Sequence, residues 1–181
     1  MTGPREFVFK VCVLGEGSVG KTSLVLQYCE RKFSENYIMT IGSNFAVKLI
    51  PYPEKNIVVR LQLWDLAGQT HFSFVRPTFY RGSTGAIFVY DITKRETFTK
   101  ITEWIAEAKQ YIKDAPICIV GNKIDLVDER VVSRKEGEAF AKEVGAMYFA
   151  ETSAKTAENL DDTFVRITTQ ILEMQNKNSI F

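Results

Sequence analysis

Eight residues, Gly15-Glu16-Gly17-Ser18-Val19-Gly20-Lys21-Thr22, constrain this chain more than any other stretch. They fit the spacing G-x-x-x-x-G-K-[ST], follow an apolar run from Phe7 to Leu14, and lead into a helix-period segment, Ser23 to Glu30. A strand, a glycine-rich loop and a helix in that order make a phosphate cradle. The glycines let the backbone wrap closely around phosphate, and the loop amides and helix N-terminus face its negative charge. Lys21 neutralises that charge, and Thr22 offers a hydroxyl to Mg²⁺. A plain glycine-rich turn would share the composition but not this setting. The loop specifies a nucleotide phosphate and leaves the base open.

Short apolar runs alternate with helix-period stretches along the rest of the chain, and the runs are nearly continuous, as in a parallel sheet covered on both faces. Strands are expected at Phe7 to Leu14, Ser43 to Ile50, Ile57 to Trp64, Gly85 to Ile92, Pro116 to Gly121 and Ala146 to Glu151. Pro51-Tyr52-Pro53 with Lys55-Asn56 reads as a hairpin turn, so the second and third strands should be antiparallel at one side of the sheet. Right-handed helical crossovers are expected elsewhere. Thr93 with Glu96, and Ser133 with Glu136, have the spacing of capping boxes. Phe98, Ile101, Trp104, Ile105, Ala108 and Ile112 form one buried helical stripe, and Leu160, Phe164, Ile167 and Ile171 another, while Gly145 reads as a helix stop. The fold class is therefore α/β: a three-layer P-loop NTPase sandwich with a six-stranded, mostly parallel sheet, one antiparallel strand and about five helices, in a single domain over residues 1–181.

Charge excludes some partners. The net charge of +1 comes from 23 basic and 22 acidic residues spread over the whole length, so no basic face for nucleic acid is expected. Cys12, Cys29 and Cys118 lack C-x-x-C spacing and read as buried thiols of a cytosolic chain. No apolar run approaches the roughly 18 residues of a membrane span, and the start carries neither a signal peptide nor a myristoylation glycine.

More chemistry sits at strand ends, where ligands of such sheets bind. Asp65 ends the third strand and can act on Mg²⁺ through water, Gly68 allows close backbone approach to a γ-phosphate, and Gln69 can orient a water for in-line attack. Asn122-Lys123-Ile124-Asp125 follows the fifth strand. An ionised carboxylate only accepts hydrogen bonds, so Asp125 complements the adjacent N–H donors of guanine, which adenine lacks. Glu151-Thr152-Ser153-Ala154-Lys155 follows the sixth strand and would complete the base pocket.

Taken together, GEGSVGKT, Thr40, DLAGQ, NKID and TSAK occur in the order found in Ras-like small GTPases, which the chain resembles over nearly its whole length. The resemblance implies GTP and GDP as ligands with Mg²⁺ as cofactor. It implies cofactor contacts from Gly15, Gly17, Ser18, Val19, Gly20, Lys21, Thr22, Ser23 and Gly68, and from Asn122, Lys123, Asp125, Ser153, Ala154 and Lys155. Phe33 would lie against the guanine and Tyr37 would cover the phosphates. Thr22, Thr40 and Asp65 would serve the metal, with Gln69 and Lys21 catalytic. Exchange factors, GTPase-activating proteins and effectors would be the protein partners.

The segments Ile41 to Phe45, Arg60 to Trp64, Phe79 to Gly82 and Phe88 to Thr93 look like those of the Rab branch, which implies a role in vesicle trafficking. Ser43-Asn44, Leu66 and Thr70-His71 depart from its usual residues. In that branch Phe45, Trp64 and Tyr80 would form an effector-reading aromatic triad, and His71 would be an exposed loop residue. The sequence ends at Ile180-Phe181 without the tail cysteines that such proteins prenylate, as expected either of a chain cut just after its last helix or of a protein that never meets a membrane; membrane contact is expected only through a lipidated tail not present here. Two other readings share the phosphate loop: a small-molecule kinase, which needs an acceptor site and a lid with arginines, and a binding module that holds GTP without hydrolysis, against which Gly17 and Gln69 argue.

Overall fold

The computed structural model describes residues 3–36, 39–69, 72–112 and 114–178. Its strands are β1 (Arg5–Leu14), β2 (Ser43–Tyr52), β3 (Ile57–Leu66), β4 (Gly85–Asp91), β5 (Ile117–Asn122) and β6 (Tyr148–Thr152). They form one sheet in the order β2-β3-β1-β4-β5-β6. β2 and β3 pair antiparallel, and each other neighbouring pair is parallel. The helices are α1 (Lys21–Glu30), α2 (Arg76–Tyr80), α3 (Arg95–Thr99), α4 (Ile101–Lys109), α5 (Arg134–Glu143) and α6 (Leu160–Asn178).

The continuous apolar runs are explained by two cores. Side chains alternate across the sheet, so Val11, Val13, Ile87 and Val89 pack with α1 and α6 through Leu24, Phe164 and Ile167. Their neighbours Cys12, Leu14, Phe88 and Tyr90 pack on the other face with Ile101, Trp104 and Ala141. β3 is different. Val59, Leu61 and Leu63 are buried, but Val58, Arg60, Gln62 and Trp64 are only half-covered. β2 continues through Pro51 to Tyr52, further than expected; it is an edge strand, where the missing N–H of proline breaks no inner ladder. A short 3₁₀ turn, Pro53–Lys55, closes the hairpin with Asn56 at φ +52°.

Ser133 and Glu136 form the expected capping box at α5, and Gly145 stops the same helix at φ +69°. Thr93 does not cap α3. Its N–H and hydroxyl both donate to Asp91 Oδ1, at 2.9 and 2.7 Å, and Lys94 occupies the cap position. A buried carboxylate accepts strongly and wins the hydroxyl. The expected helical stripe from Phe98 to Ile112 is shared between α3 and α4, with Lys100 between them, and Ile112 lies past the end of α4.

Candidate active site

β1 delivers the phosphate loop at the C-terminal edge of the sheet. Gly15 has φ +136°, and a Cβ there would lie 2.2 Å from the Val89 carbonyl oxygen, so only glycine lets the chain leave the sheet at this point. α1 then starts at Lys21, which puts Thr22 and Ser23 in its first turn. Lys21 is 6% exposed, and its Nζ donates to the carbonyls of Gly15 and Glu16 at 2.8 and 2.7 Å. Burial lowers its pKa to about 8, against the pull of the Asp65 and Glu16 carboxylates, while Arg76 lowers it further.

Asp65 lies inside β3, in register with Val13 of β1 and Asn44 of β2, and is fully buried. Burial raises its pKa to about 6, opposed by the Thr22 hydroxyl and by Lys21. Thr22 Oγ1 donates to Asp65 Oδ2, so at the 2.8 Å contact with Thr40 the Thr40 hydroxyl must be the donor. Asp65 Oδ1 is buried without a hydrogen-bond partner. Two hydroxyls and an orphaned carboxylate oxygen thus converge, a hard-oxygen set that fits Mg²⁺, which takes few protein ligands and keeps much of its hydration. Among the described residues no cluster of three or more His, Cys, Asp or Glu forms a metal cage.

Gly68 packs its backbone onto the loop: a Cβ there would come within 2.4 Å of Glu16 C and Gly17 N. Gln69 follows, with Nε2 3.5 Å from where a Gly17 Cβ would be, so its amide reaches the phosphate loop.

At the other end Asn122, 1% exposed, ties three segments together. Its Nδ2 donates to the Val19 carbonyl at 2.9 Å, while its Oδ1 accepts from Thr152 Oγ1 at 3.3 Å and Ala154 N at 3.2 Å. Ser153 Oγ donates to Asp125 Oδ1 at 2.6 Å, fixing the carboxylate. Lys123, at φ +71°, pairs its Nζ with the buried Asp91 at 2.7 Å. Arg130 grips Glu151 with two bonds of 2.6 and 3.1 Å and steadies the end of β6.

Both ends open into one cleft of about 550 Å³. Its wall includes Gly17, Ser18, Gly20, Lys21, Thr22 and Ser23 on the phosphate side, with Thr40, Gly68 and Gln69. On the base side it includes Phe33, Asn122, Lys123, Asp125, Ala154 and Lys155. Gly15, Val19, Asp65 and Ser153 stand behind the wall, as supports. Tyr37, Thr70 and His71 lie outside the described residues. Sequence reasoning missed Leu26, Lys32, Ser34, Glu35, Asn36 and Leu126, which also line the cleft; Glu35 reaches across to Lys155 at 2.7 Å. Leu26 lies inside α1 and Leu126 directly follows Asp125, while the loop after α1, which holds the other four, carries no motif that would have marked them. A second hollow, of about 310 Å³ near Ser83, Thr84 and Pro116, lies at the opposite edge of the sheet and has no such cradle.

The aromatic triad needs one correction. Phe45 is 46% exposed and lies 4.7 Å from Trp64 between ring centroids. The third ring is Phe79, 5.4 Å from Trp64. Tyr80 is 0% exposed and donates its hydroxyl to Glu107 at 2.7 Å, because the α2 turn points it into the core.

A mostly parallel sheet with a phosphate loop after β1, an oxygen set at β3 and a polar pocket at β5 and β6 defines a small P-loop nucleotide-binding domain. The Ras family model matches residues 10–173, and the chain belongs to that family, as a small GTPase of the Rab branch. It is 44% identical over 170 residues to Ras-related protein Rab-21 of Canis lupus familiaris, an alignment covering 93% of this chain and 75% of that one. The Homo sapiens and Mus musculus Rab-21 proteins match at the same identity, with 74% and 75% of their lengths covered.

Proposed function

We propose that this chain cycles between GTP- and GDP-bound forms as a Rab-type switch in vesicle trafficking, on the cytosolic face of an endomembrane. The observation that carries this reading is the single cleft joining Lys21, Thr22 and Gln69 to Asp125 and Lys155. Asp125 selects guanine through its paired N–H donors, and Lys21 neutralises the phosphates. Thr22, Thr40 and Asp65 would hold Mg²⁺, which screens charge building on the phosphates when bound. Gln69 orients the attacking water, and Gly17 leaves room for it.

No arginine lines the cleft among the described residues. Unaided hydrolysis should therefore be slow, on the order of 10⁻⁴ per second, and should await an activating partner. Output would come from the exposed face of Phe45, Trp64 and Phe79. The rings of Phe45 and Phe79 flank that of Trp64, at 4.7 and 5.4 Å between centroids, and form a contiguous aromatic patch for an effector.

Competition against labelled GDP tests the base assignment: GTP should displace it with Mg²⁺ and ATP should not. Single-turnover release of phosphate tests the rest. A chain that holds GTP unhydrolysed over days is a binding module instead, and equal displacement by ATP overturns the guanine reading.

A further inference from the structure

Arg76, the first residue of α2, is 4% exposed, unusual for a guanidinium at a helix start that follows a loop. It lies over the ring of Trp104 from α4, with Cζ 4.2 Å from the centroid. Its Nε is 3.3 Å from Glu107 Oε1, close enough for charge attraction but not aligned for a hydrogen bond. The same Glu107 oxygen accepts from Tyr80, one turn further along α2. α2 is thus clipped to α4 at two points.

Trp104 has a second attachment. Its indole N–H donates to Glu16 Oε1 at 3.0 Å, and Lys100 Nζ lies 3.3 Å from Glu16 Oε2. Glu16 belongs to the phosphate loop and accepts Lys21 Nζ on its backbone carbonyl. A donated indole proton enriches the ring that faces the cation, so the two contacts of Trp104 reinforce one another. The backbone of Gly68 already packs on Glu16 and Gly17. The segment from Gly68 to Arg76 is therefore tied at both ends to one residue, Glu16: directly at Gly68 and through Trp104 at Arg76. Gln69 sits within that span.

We propose that Arg76 is a positioning residue for hydrolysis, holding Gln69 over the phosphate loop through the chain Arg76–Trp104–Glu16. It does not line the nucleotide cleft and needs no contact with substrate. The inference rests on the reading of Gln69 as the residue that orients water.

Single-turnover hydrolysis by the parent, Arg76→Met, Gln69→Leu and the double variant tests it, with GTP affinity measured for each. Arg76→Met should slow hydrolysis about tenfold, as expected for the loss of a coupled contact, while GTP and GDP affinities stay unchanged. In the Gln69→Leu background the same change should slow hydrolysis no further, because there is no longer an amide to position. A general weakening of the fold would instead lower affinity and add to the Gln69→Leu loss in full, and that result overturns the proposal. Glu107→Gln keeps the shape of the clip and removes the charge beside Arg76, so it should slow hydrolysis in the same direction even if Arg76→Met fails to fold; a parent rate there overturns the proposal. Parent rates in Arg76→Met beside a slowed Gln69→Leu overturn the Arg76 assignment alone. A parent rate in Gln69→Leu overturns the Gln69 reading first, and this one with it.

Discussion

At the base end of the cleft the polar groups of β5 and β6 hold one another. Asn122 binds Val19, Thr152 and Ala154, Ser153 holds Asp125, and Lys123 is paired with Asp91. At the phosphate end Lys21 rests on two carbonyls with its pKa lowered to about 8, and Asp65 keeps an oxygen without a partner and a pKa raised to about 6. Burial strips water from both charged groups there without fully replacing it. The base end is thus organised by the protein for itself, whereas the phosphate end has its charges arranged for a ligand bearing the complementary ones. Selectivity should reside in the first and responsiveness in the second.

The largest expected effect breaks the base end. Asp125→Asn replaces a pure acceptor with a group that also donates, leaving a guanine N–H facing an N–H; GDP affinity should fall roughly a thousandfold, the scale of one lost charge-assisted hydrogen bond together with a buried donor left unpaired. A displacement titration showing less than a tenfold loss would remove the distinction between the two ends. A smaller effect is expected at the hydroxyl proposed for the metal. Thr22→Asn should weaken GTP by roughly ten- to hundredfold, the equivalent of one charge-assisted contact, and weaken GDP less. Equal losses for both nucleotides, measured across a Mg²⁺ series, would show that Thr22 serves the loop and not the γ-phosphate end.

The smallest effect concerns stability alone. The folded pKa of Lys21 is below its ordinary value of 10.5, so between about 8 and 10.5 the unfolded chain binds more protons. The stability contribution of Lys21 is therefore full above pH 10.5 and lost as pH falls through 8. Denaturant midpoints of the parent should rise with pH across that window relative to those of Lys21→Met, and parallel profiles would show that Lys21 is not strained by burial.

Much of this contrast was legible in the residues alone. The inner strands and base loops show as contiguous apolar runs ending in polar clusters, because β4 and β5 are buried on both faces and each cluster follows a strand end. Asp125 could be proposed for guanine from its own chemistry, without reference to its neighbours. Phe79 and Tyr80 were exchanged because α2 is only five residues long and offers no period from which to read its phase. The cap at Thr93 was lost to Asp91, a competition that spacing does not reveal. The Arg76–Trp104–Glu16 chain joins positions 88 residues apart at its widest hydrogen bond, and no local pattern marks such a contact.

Asn122 has a consequence for the order of events during synthesis. Its amide closes a bond to Val19 across 103 residues, yet its carbonyl oxygen is satisfied only by Thr152 and Ala154 further along the chain. Long closures of this kind are slow, and their reward comes late. The phosphate loop leaves the ribosome well before β5 and β6, but its anchor cannot be locked until residues beyond β6 have emerged and docked. A nascent chain of this protein therefore carries an intact phosphate motif without a base pocket while the residues up to Ala154 are being made, and competence to bind nucleotide arrives only once the segment after β6 has docked.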